Sequence, residues 1–416
     1  MKVLVIGSGG REHAIAYTLL QSPNVEKVWC APGNGGTATE DNCENLDLAV
    51  DDFAGIAQAA KDNDIDLVAV GPEVPLSLGI ADYLQKKGIA VFGPVKAGAE
   101  VEASKSWAKE LMLEGGIPTA KSATFNDAEE AKAYIKKEGA PIVVKADSLA
   151  AGKGVIVATT EAEALAAVEE LFGQDFKTLV IEEFLVGEEA SVLAFTDGKA
   201  IIPLVAAQDH KRVGEGDTGK NTGGMGAYAP APLVTPEIMN RIEQEVLRPT
   251  MAAFKARGID YRGILYAGLM IASDGTPKVV EFNCRFGDPE TQVVLPLLDT
   301  PLDELMLACV NQELDRVSIQ WKSGSAVCIV AAAGGYPDAY EKGKVISGVD
   351  KVNDAIVFHA GTKLENGQVL TNGGRVLGIT AMGEDLETAI SLAYSATEQI
   401  SFEKMYYRRD IAHRAR

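Results

Sequence analysis

The stretch KVLVIGSGGREHAIAYTLLQS, residues 2–22, decides how the fold begins. Residues 2–6 are a short, mostly apolar run typical of a buried parallel strand, and a glycine-containing turn follows directly. The residues after the turn read as a helix. A strand, a glycine turn and a helix in this order open an α/β fold.

The same alternation continues over roughly the first hundred residues. The next apolar runs that end in turns are VEKVWCAPGN (25–34), IDLVAVGPE (65–73) and IAVFGP (89–94), with helical stretches between them. This alternation predicts a doubly wound parallel sheet. In such sheets the ligand edge lies at the carboxyl ends of the strands.

Beyond residue 120 the pattern changes twice. A compact α+β unit of strands and two helices occupies residues 121–186, and hairpin signals follow at Asp197-Gly198 and Asp274-Gly275. A long helix is predicted near 236–257. Residues 323–416 carry short strands and a helix near 384–399, as in a small mixed domain.

Composition excludes several function classes. A chain of 416 residues predicts about two to four domains, and a net charge of −20 argues against nucleic-acid binding. The five widely spaced cysteines predict reduced thiols. Without a signal peptide or an apolar run of about 18 residues, we expect a cytoplasmic protein with no membrane span. No conspicuous apolar stripe suggests an obligate partner, so we expect a monomer.

The first glycine turn resembles a dinucleotide fingerprint but does not complete it. Position 12, where the third glycine or alanine belongs, is Glu12, which argues against a nicotinamide oxidoreductase. Gly9 and Gly10 at a helix start, beside Arg11, instead favour an anion such as a phosphate monoester. A plain tight turn is an equally good interpretation of these residues alone.

A second glycine-rich segment, DHKRVGEGDTGKNTGGMG (209–226), contains a false P-loop. Asn221 stands where the P-loop requires serine or threonine, so we reject that interpretation. Six glycines in a segment with little apolar content predict a long loop that closes over a ligand. A disordered surface excursion is the alternative.

Two further stretches indicate a bound nucleotide. Lys145 ends a strand in VVKADSLAAGKGV (143–155) and Lys153 lies between two glycines, so the pair can clamp a triphosphate; two solvated lysines are the alternative. In VIEEFLVGEE (180–189), apolar residues among acids suit an adenine slot with Glu188 at the ribose. An exposed acidic hairpin end fits that stretch as well.

The stretch VVEFNCRFGDPETQ (279–292) places three polar side chains on one strand face. Glu281, Asn283 and Arg285 alternate with Phe282 and two further apolar positions, as the period of two requires. A carboxylate, an amide oxygen and a guanidinium can hold a hard metal ion and an anion together. A solvated edge is the competing interpretation.

Together these motifs resemble the ATP-grasp superfamily and, within it, the glycinamide ribonucleotide synthetase (phosphoribosylamine–glycine ligase) family. The resemblance also rests on APGNGGT, VGPEVPL, LYAGLM, AAAGGYP, FHAGT and TNGGRVL, which lie in order over essentially the whole chain. Ser8 and Ser148 depart from the family pattern, where asparagine and glycine are common. We expect them to tune loop geometry.

The resemblance implies an α/β fold of ATP-grasp architecture. It implies an N-terminal doubly wound domain (1–103), an ATP-grasp core (104–120 and 187–322), a lid (121–186) and a C-terminal domain (323–416). It also implies a ligase that joins glycine to 5-phosphoribosylamine through glycyl phosphate, with ATP as co-substrate and Mg²⁺ or Mn²⁺. Another ATP-grasp carboxylate–amine ligase of the purine pathway is the alternative.

The resemblance assigns roles to particular residues. The ATP site would comprise Lys105, Lys145, Lys153, Glu182, Glu183, Phe184, Leu185 and Glu188. The substrate site would comprise Gly9, Gly10, Arg11, Glu12, Gly71, Pro72, Glu73, Lys211, Asn221, Thr222, Gly223 and Arg285. Glu281 and Asn283 would bind the metal. Arg285, Asp209 and Lys153 would take part in catalysis, and Asp288, Glu290 and Asp209 are candidate oxygen donors for a second metal ion.

Overall fold

A parallel sheet forms the N-terminal part of the chain, as the sequence predicts. The computed structural model describes residues 1–149 and 154–416. The strands are β1 (Lys2–Gly7), β2 (Lys27–Pro32), β3 (Cys43–Asn45), β4 (Leu67–Val70) and β5 (Val91–Phe92), and their order in the sheet is β3-β2-β1-β4-β5. The helices are α1 (Gly10–Leu20), α2 (Phe53–Asp62), α3 (Glu73–Leu78), α4 (Ile80–Gln85) and α5 (Lys96–Ala103).

The central strand of this sheet is buried on both faces. Leu4 and Ile6 pack into one apolar cluster, while Val3 and Val5 pack into another on the opposite side. An apolar run without polar alternation is the pattern of a strand covered by helices on both faces. The two faces are therefore closed, and ligands can approach at the carboxyl edge.

The second unit, which the sequence predicts to be a lid and which keeps that name below, is packed separately. After α6 (Lys105–Glu114), its elements are β6 (Ser122–Phe125), α7 (Ala128–Glu138), β7 (Ile142–Ala146), β8 (Val155–Ala158), α8 (Glu161–Gly173) and β9 (Leu179–Glu183). The strands form an antiparallel sheet in the order β6-β9-β7-β8. One apolar cluster drawn only from residues 125–181 fills this unit, so the lid has its own core.

The next segment holds the central antiparallel sheet. Its strands are β10 (Glu188–Asp197), β11 (Ile201–Pro203), β12 (Gln208–Asp209), β13 (Arg212–Gly214), β14 (Thr218–Asn221), β15 (Gly226–Ala229), β16 (Arg262–Ile271) and β17 (Pro277–Asn283). Four of them form the sheet β11-β10-β16-β17. Both Asp-Gly hairpin predictions are confirmed, because β10 pairs with β11 and β16 pairs with β17 antiparallel.

The predicted long helix is present with an irregular middle. It comprises α9 (Pro236–Ile242), a π-helical turn (Glu243–Leu247) and α10 (Arg248–Ala256). Pro249 lies at the start of α10 and has no amide hydrogen to donate. A proline ring also clashes with the carbonyl four residues earlier, which favours a locally widened turn. Helices α11 (Thr291–Leu297) and α12 (Leu302–Asn311) follow.

The C-terminal part forms most of an antiparallel sheet and confirms the predicted short strands and helix. Its elements are β18 (Ser325–Ala332), β19 (Ile356–His359), β20 (Thr362–Glu365), β21 (Gln368–Thr371), β22 (Arg375–Gly383) and α13 (Leu386–Thr397). The sheet order is β12-β15-β18-β22-β19, so two strands come from the preceding segment. Among the described residues, no helix has the length and apolar character needed to cross a bilayer.

The glycine-rich segment 209–226 was predicted to be a long loop, and this prediction is wrong. It is not an irregular loop, because β13 and β14 form a hairpin and β12 and β15 join the C-terminal sheet. Residues Thr218–Asn221 are all exposed, and they carry no apolar alternation. The hairpin therefore left no periodic signal in the sequence, and only its contacts with distant residues reveal it.

Candidate active site

Positive side chains from three separate segments converge on Glu281, which lies near the end of β17. Glu281 is exposed to solvent, although the protein around it partly desolvates its carboxylate. The charges of Lys211, Lys145 and Lys105 outweigh that desolvation and hold the pKa of Glu281 below its ordinary value. One carboxylate thus faces several cations. A group of cations that acts on one carboxylate fits a polyanionic ligand bound together with a metal ion.

Glu281 and Asn283 share one face of β17, as the period of two predicts. Arg285 donates from Nη2 to Asn283 Oδ1 at 3.1 Å, which places the third residue of the pattern on the same side. On the neighbouring strand Gly268 lies opposite Glu281, so no side chain projects across the carboxylate there. A carboxylate oxygen and an amide oxygen fit a hard divalent cation.

Glu182 is held by two lysines. It is 4% exposed, with Oε2 2.8 Å from Lys145 Nζ and Oε1 3.2 Å from Lys109 Nζ. Lys145 also donates to Val280 O at 3.2 Å. Sequence reasoning missed Lys109, which lies inside a helix with no motif around it. The Glu182 carboxylate thus orients two lysines, and its assignment to the ATP site stays a prediction.

Lys105 lies at the start of α6 and reaches the loop after β7. Its Nζ donates to Ser148 O at 2.8 Å, and burial lowers its pKa. Ser104 caps the helix by accepting from Trp107 N, which fixes the lysine at the helix start. Lys153, the other lysine assigned to the triphosphate, lies outside the described residues.

A cavity of about 200 Å³ lies between the lid and the central sheet. Its walls are formed by Glu183, Phe184, Leu185, Val186, Met270, Ala272 and Lys278. Lys278 Nζ lies 3.0 Å from Glu183 Oε1. Glu188 begins β10 opposite Ile271, between two of the lining residues. The stretch 180–189 therefore lines an apolar slot with a polar end.

The glycine turn after β1 is organised around Glu12. This residue is 2% exposed; its Oε2 accepts from Gly9 N at 2.7 Å and its Oε1 from Arg11 Nε at 2.5 Å. A side chain at Gly71 would collide with the same carboxylate. The expectation that Gly9 offers a free amide to a ligand is thus wrong in this structure, because Glu12 already accepts from it.

Arg285 is enclosed by two carboxylates from the N-terminal domain. Its Nη2 lies 2.6 Å from Glu102 Oε1, and its Nε lies 3.4 Å from Glu73 Oε2. Burial raises the pKa of Glu102, and Arg285 opposes that shift. The pKa of Glu73 is lowered, because Arg285 and Arg11 outweigh its burial. Sequence reasoning missed Glu102, which no motif marks on α5.

A second charged group surrounds Lys211, just before the hairpin. Lys211 Nζ lies 2.6 Å from Glu189 Oε2. Burial raises the pKa of Asp209 to about 7 against the opposing charge of Lys211. Glu290 Oε1 accepts from Tyr266 Oη at 2.5 Å. Asp209 and Glu290 are buried, whereas the charge of Lys211 lowers the pKa of Glu189.

Arg375, from β22, ties the end of the glycine-rich segment to the turn after β17. Its Nη1 donates to Gly223 O at 2.8 Å and lies 3.2 Å from Asp288 Oδ1. Thr222 N donates to Lys211 O at 2.7 Å, whereas Asn221 is exposed on the hairpin. Sequence reasoning missed Arg375, although TNGGRVL contains it.

Comparison with known proteins places this geometry in context. The phosphoribosylglycinamide synthetase family matches in three parts: its N domain over residues 1–102, its ATP-grasp (A) domain over 103–291 and its C domain over 326–414. A phosphoribosylamine–glycine ligase of Synechocystis is 60% identical over 418 residues, covering 100% of both chains. One from Vibrio vulnificus is 53% identical, covering 100% of this chain and 98% of the relative.

Solved structures agree with the predicted architecture. The phosphoribosylamine–glycine ligase of Thermotoga maritima superimposes with a TM-score of 0.85 at 36% identity, covering 99% of this chain and 100% of the other. The biotin carboxylase domain of a Hydrogenobacter thermophilus 2-oxoglutarate carboxylase gives 0.72 at 19% identity, covering 98% and 91%, and shows the fold alone. The predicted α/β fold of ATP-grasp architecture is confirmed.

Proposed function

Because this chain belongs to the phosphoribosylglycinamide synthetase family, we propose that it is an ATP-dependent ligase that joins glycine to 5-phosphoribosylamine. The products are glycinamide ribonucleotide, ADP and phosphate, in purine biosynthesis. One observation supports this more than any other: Arg285 donates to Asn283 Oδ1 on the strand face that also carries Glu281, and the charges of three lysines act on that carboxylate.

ATP would lie between the lid and the central sheet. The adenine ring would occupy the cavity lined by Phe184 and Leu185, and the phosphates would extend towards Lys105 and Lys145. Lys153, which the resemblance assigns to the triphosphate, would join them. Phosphoryl transfer needs positioning and charge neutralisation more than covalent help from the protein, and these lysines supply both.

The metal would bind at Glu281 and Asn283. The donor set fits Mg²⁺, and Mn²⁺ shares its preference for oxygen ligands. When bound, the ion neutralises charge on the β- and γ-phosphates. Asn283 Oδ1 accepts from Arg285, so the guanidinium also orients the amide for the cation.

Glycine would lie next to Arg285, with its carboxylate directed at the γ-phosphate. A carboxylate is a poor electrophile because its own charge repels a nucleophile, and phosphorylation supplies a leaving group. Asp209 and Lys211 would complete this part of the site. Asp209 and Glu290 are buried, and a site of this kind would limit the access of water to the acyl phosphate.

Phosphoribosylamine would occupy the carboxyl edge of the N-terminal sheet. Glu73 carries a lowered pKa beside Arg11 and Arg285, so an ionised carboxylate can accept from the ribose hydroxyls. Arg11 and Gly10 would hold the phosphate, since the Gly9 amide already donates to Glu12. The attacking amine has a low pKa and needs no dedicated base.

Phosphate release with ATP, Mg²⁺ and freshly made phosphoribosylamine tests the proposal. Glycine should support release, and formate and bicarbonate should not. If either replaces glycine at equal rate, the proposed acceptor is wrong and another ATP-grasp carboxylate–amine ligase is indicated.

The metal assignment has its own test. Glu281→Gln preserves the shape of the side chain and removes its charge, so turnover should fall by about two orders of magnitude or more. Binding of adenosine, measured by calorimetry, should persist. Exposed Glu313→Gln is the matched control. Unchanged turnover of Glu281→Gln at ordinary Mg²⁺ would remove Glu281 from the metal site.

A further inference from the structure

The hairpin β13–β14 is fastened to the tail segment, residues 408–414. Its turn comprises residues 215–217, and Asp217 ends it in the left-handed region at φ 55°. The strand after the turn is exposed along its whole length. The hairpin therefore has little apolar packing of its own, and polar contacts must hold it in place.

Two arginines of the tail segment form ion pairs with Asp217. Arg408, which is fully buried, donates from Nη1 to Asp217 Oδ1 at 3.0 Å. Arg414 donates to Asp217 Oδ2 from Nη2 at 2.7 Å and from Nε at 3.1 Å. Charge-assisted hydrogen bonds of this kind are among the strong ones in proteins. These two cations lower the pKa of Asp217 against its partial burial.

The same segment also contacts the chain leading into the active site. Arg414 Nη1 donates to Asp209 O at 3.0 Å. Ala412 N donates to Nε2 of the fully buried His210 at 2.9 Å. Arg414 thus binds both the hairpin turn and the backbone carbonyl of Asp209, two residues before Lys211.

A metal site does not explain this cluster. His210, Asp217 and His413 each place one ligand atom within 4.8 Å of the others. However, His210 Nε2 accepts from Ala412 N, so the neutral ring carries its proton on Nδ1 and offers no lone pair there. Arg408 and Arg414 already neutralise Asp217. The cluster is built as an ion-paired lock.

We propose that Arg414 is a positioning residue for the ligation reaction: by binding Asp217 and the Asp209 carbonyl together, it holds Asp209 and Lys211 against the acyl-phosphate site. The positioning role rests on the proposed function. The ion-paired lock, meaning the contacts of Arg408 and Arg414 with Asp217, does not depend on it. Lys211 is the link, because its Nζ lies 2.6 Å from Glu189 Oε2 and its charge acts on Glu281.

Loss of the lock should free the hairpin and leave the nucleotide site intact. The adenine cavity is lined by residues 183–186, Met270, Ala272 and Lys278, and the tail segment contributes none of these. Weakening the lock should therefore raise the KM for glycine and leave the KM for ATP unchanged. A general loss of folding would change both.

The experiment compares Arg414→Ala and Asp217→Asn with the control Arg416→Ala. Arg416 lies in the same part of the chain but pairs with exposed Glu387 at 3.0 Å, away from the hairpin. Glycine and ATP kinetics are measured on each full chain. Limited trypsin digestion without substrates is followed by mass spectrometry at the Arg212 and Lys220 sites.

We expect both lock variants to be cut in the hairpin about tenfold faster and to show a KM for glycine raised about tenfold, with an unchanged KM for ATP. Arg414→Lys should recover part of the effect, since it keeps the charge and loses the fork. Unchanged cleavage in Asp217→Asn, or faster cleavage with an unchanged KM for glycine, would overturn the proposal. A wild-type chain inactive with glycine refutes only the proposed function, because the digestion contains no substrate.

Discussion

Removing Arg285 should destabilise the fold through the carboxylate that it leaves behind. Glu102 is a buried side chain, and its Oε1 accepts from Arg285 at 2.6 Å. In Arg285→Ala only Cys284 N, which donates to Oε2 at 2.8 Å, remains as a shown partner. An uncompensated buried charge of this kind costs about 3–5 kcal/mol.

The stability lost in Arg285→Ala should increase as the pH rises. Burial raises the pKa of Glu102 even beside Arg285, and it should rise further without the arginine. From the unfolded value of about 4.3 up to that raised pKa, the folded variant holds one proton more than the unfolded chain. Its stability then falls by about 1.4 kcal/mol per pH unit as the pH rises through that window.

Urea titrations of wild type, Arg285→Ala and Arg285→Ala/Glu102→Gln at pH 5 and pH 8 test this reasoning. The single variant should lose most stability at pH 8. The double variant should recover about 2 kcal/mol or more there, because the glutamine accepts from Cys284 N without a charge. Arg316→Ala removes an exposed pair with Glu313 and should cost under about 0.5 kcal/mol.

Two results would refute the reasoning. A loss below about 1 kcal/mol at pH 8 would show that the Glu102 carboxylate is solvated without its arginine. A double variant no more stable than Arg285→Ala would show that the destabilisation comes from lost packing of the guanidinium, and not from the buried charge.

Three further perturbations test other parts of the structure. Arg11→Ala should raise the KM for phosphoribosylamine about tenfold in steady-state kinetics; an effect confined to ATP would remove Arg11 from the sugar-phosphate site. Gly36→Ala would place its Cβ 2.6 Å from Cγ of the buried His359 ring, so thermal denaturation should show that the free energy of unfolding falls by about 1–3 kcal/mol. The control Gly173→Ala has open space around its Cβ and should not destabilise the protein. The pKa of Asp209 is raised to about 7 in the folded protein. The unfolded chain loses this proton above a pH of about 4, so the stability of the protein falls as the pH rises from there towards the folded pKa. Asp209→Asn should flatten this fall in urea titrations, and an equal slope in both proteins would contradict the argument from burial.

Much of the fold was predictable because its signals are local. The apolar run at 2–6, the glycine turn and the helix after it follow from neighbouring residues, and so do the two Asp-Gly hairpins. The hairpin at 212–221 was not predictable. Its residues carry no alternation, and the ion pairs that hold it come from residues almost two hundred positions away.

In the candidate site, too, some residues were predictable from the sequence and others were not. Glu281 and Asn283 stand out because alternation along one strand places them on one face. Glu102 and Lys109 carry no local signal, since each is one of several charged residues in an ordinary helix. Arg375 lies within TNGGRVL, but nothing in that stretch shows that it contacts Asp288.

The sequence by itself determined the order of strands and helices, the family resemblance and the residue types available for binding phosphate and metal. These follow from periodicity and spacing, which act over a few residues. Only the tertiary structure decided which charges meet: Glu12 with the Gly9 amide, Glu102 with Arg285, and Asp217 with Arg414. Electrostatic pairing depends on distance in space, and folding brings together groups that are far apart along the chain.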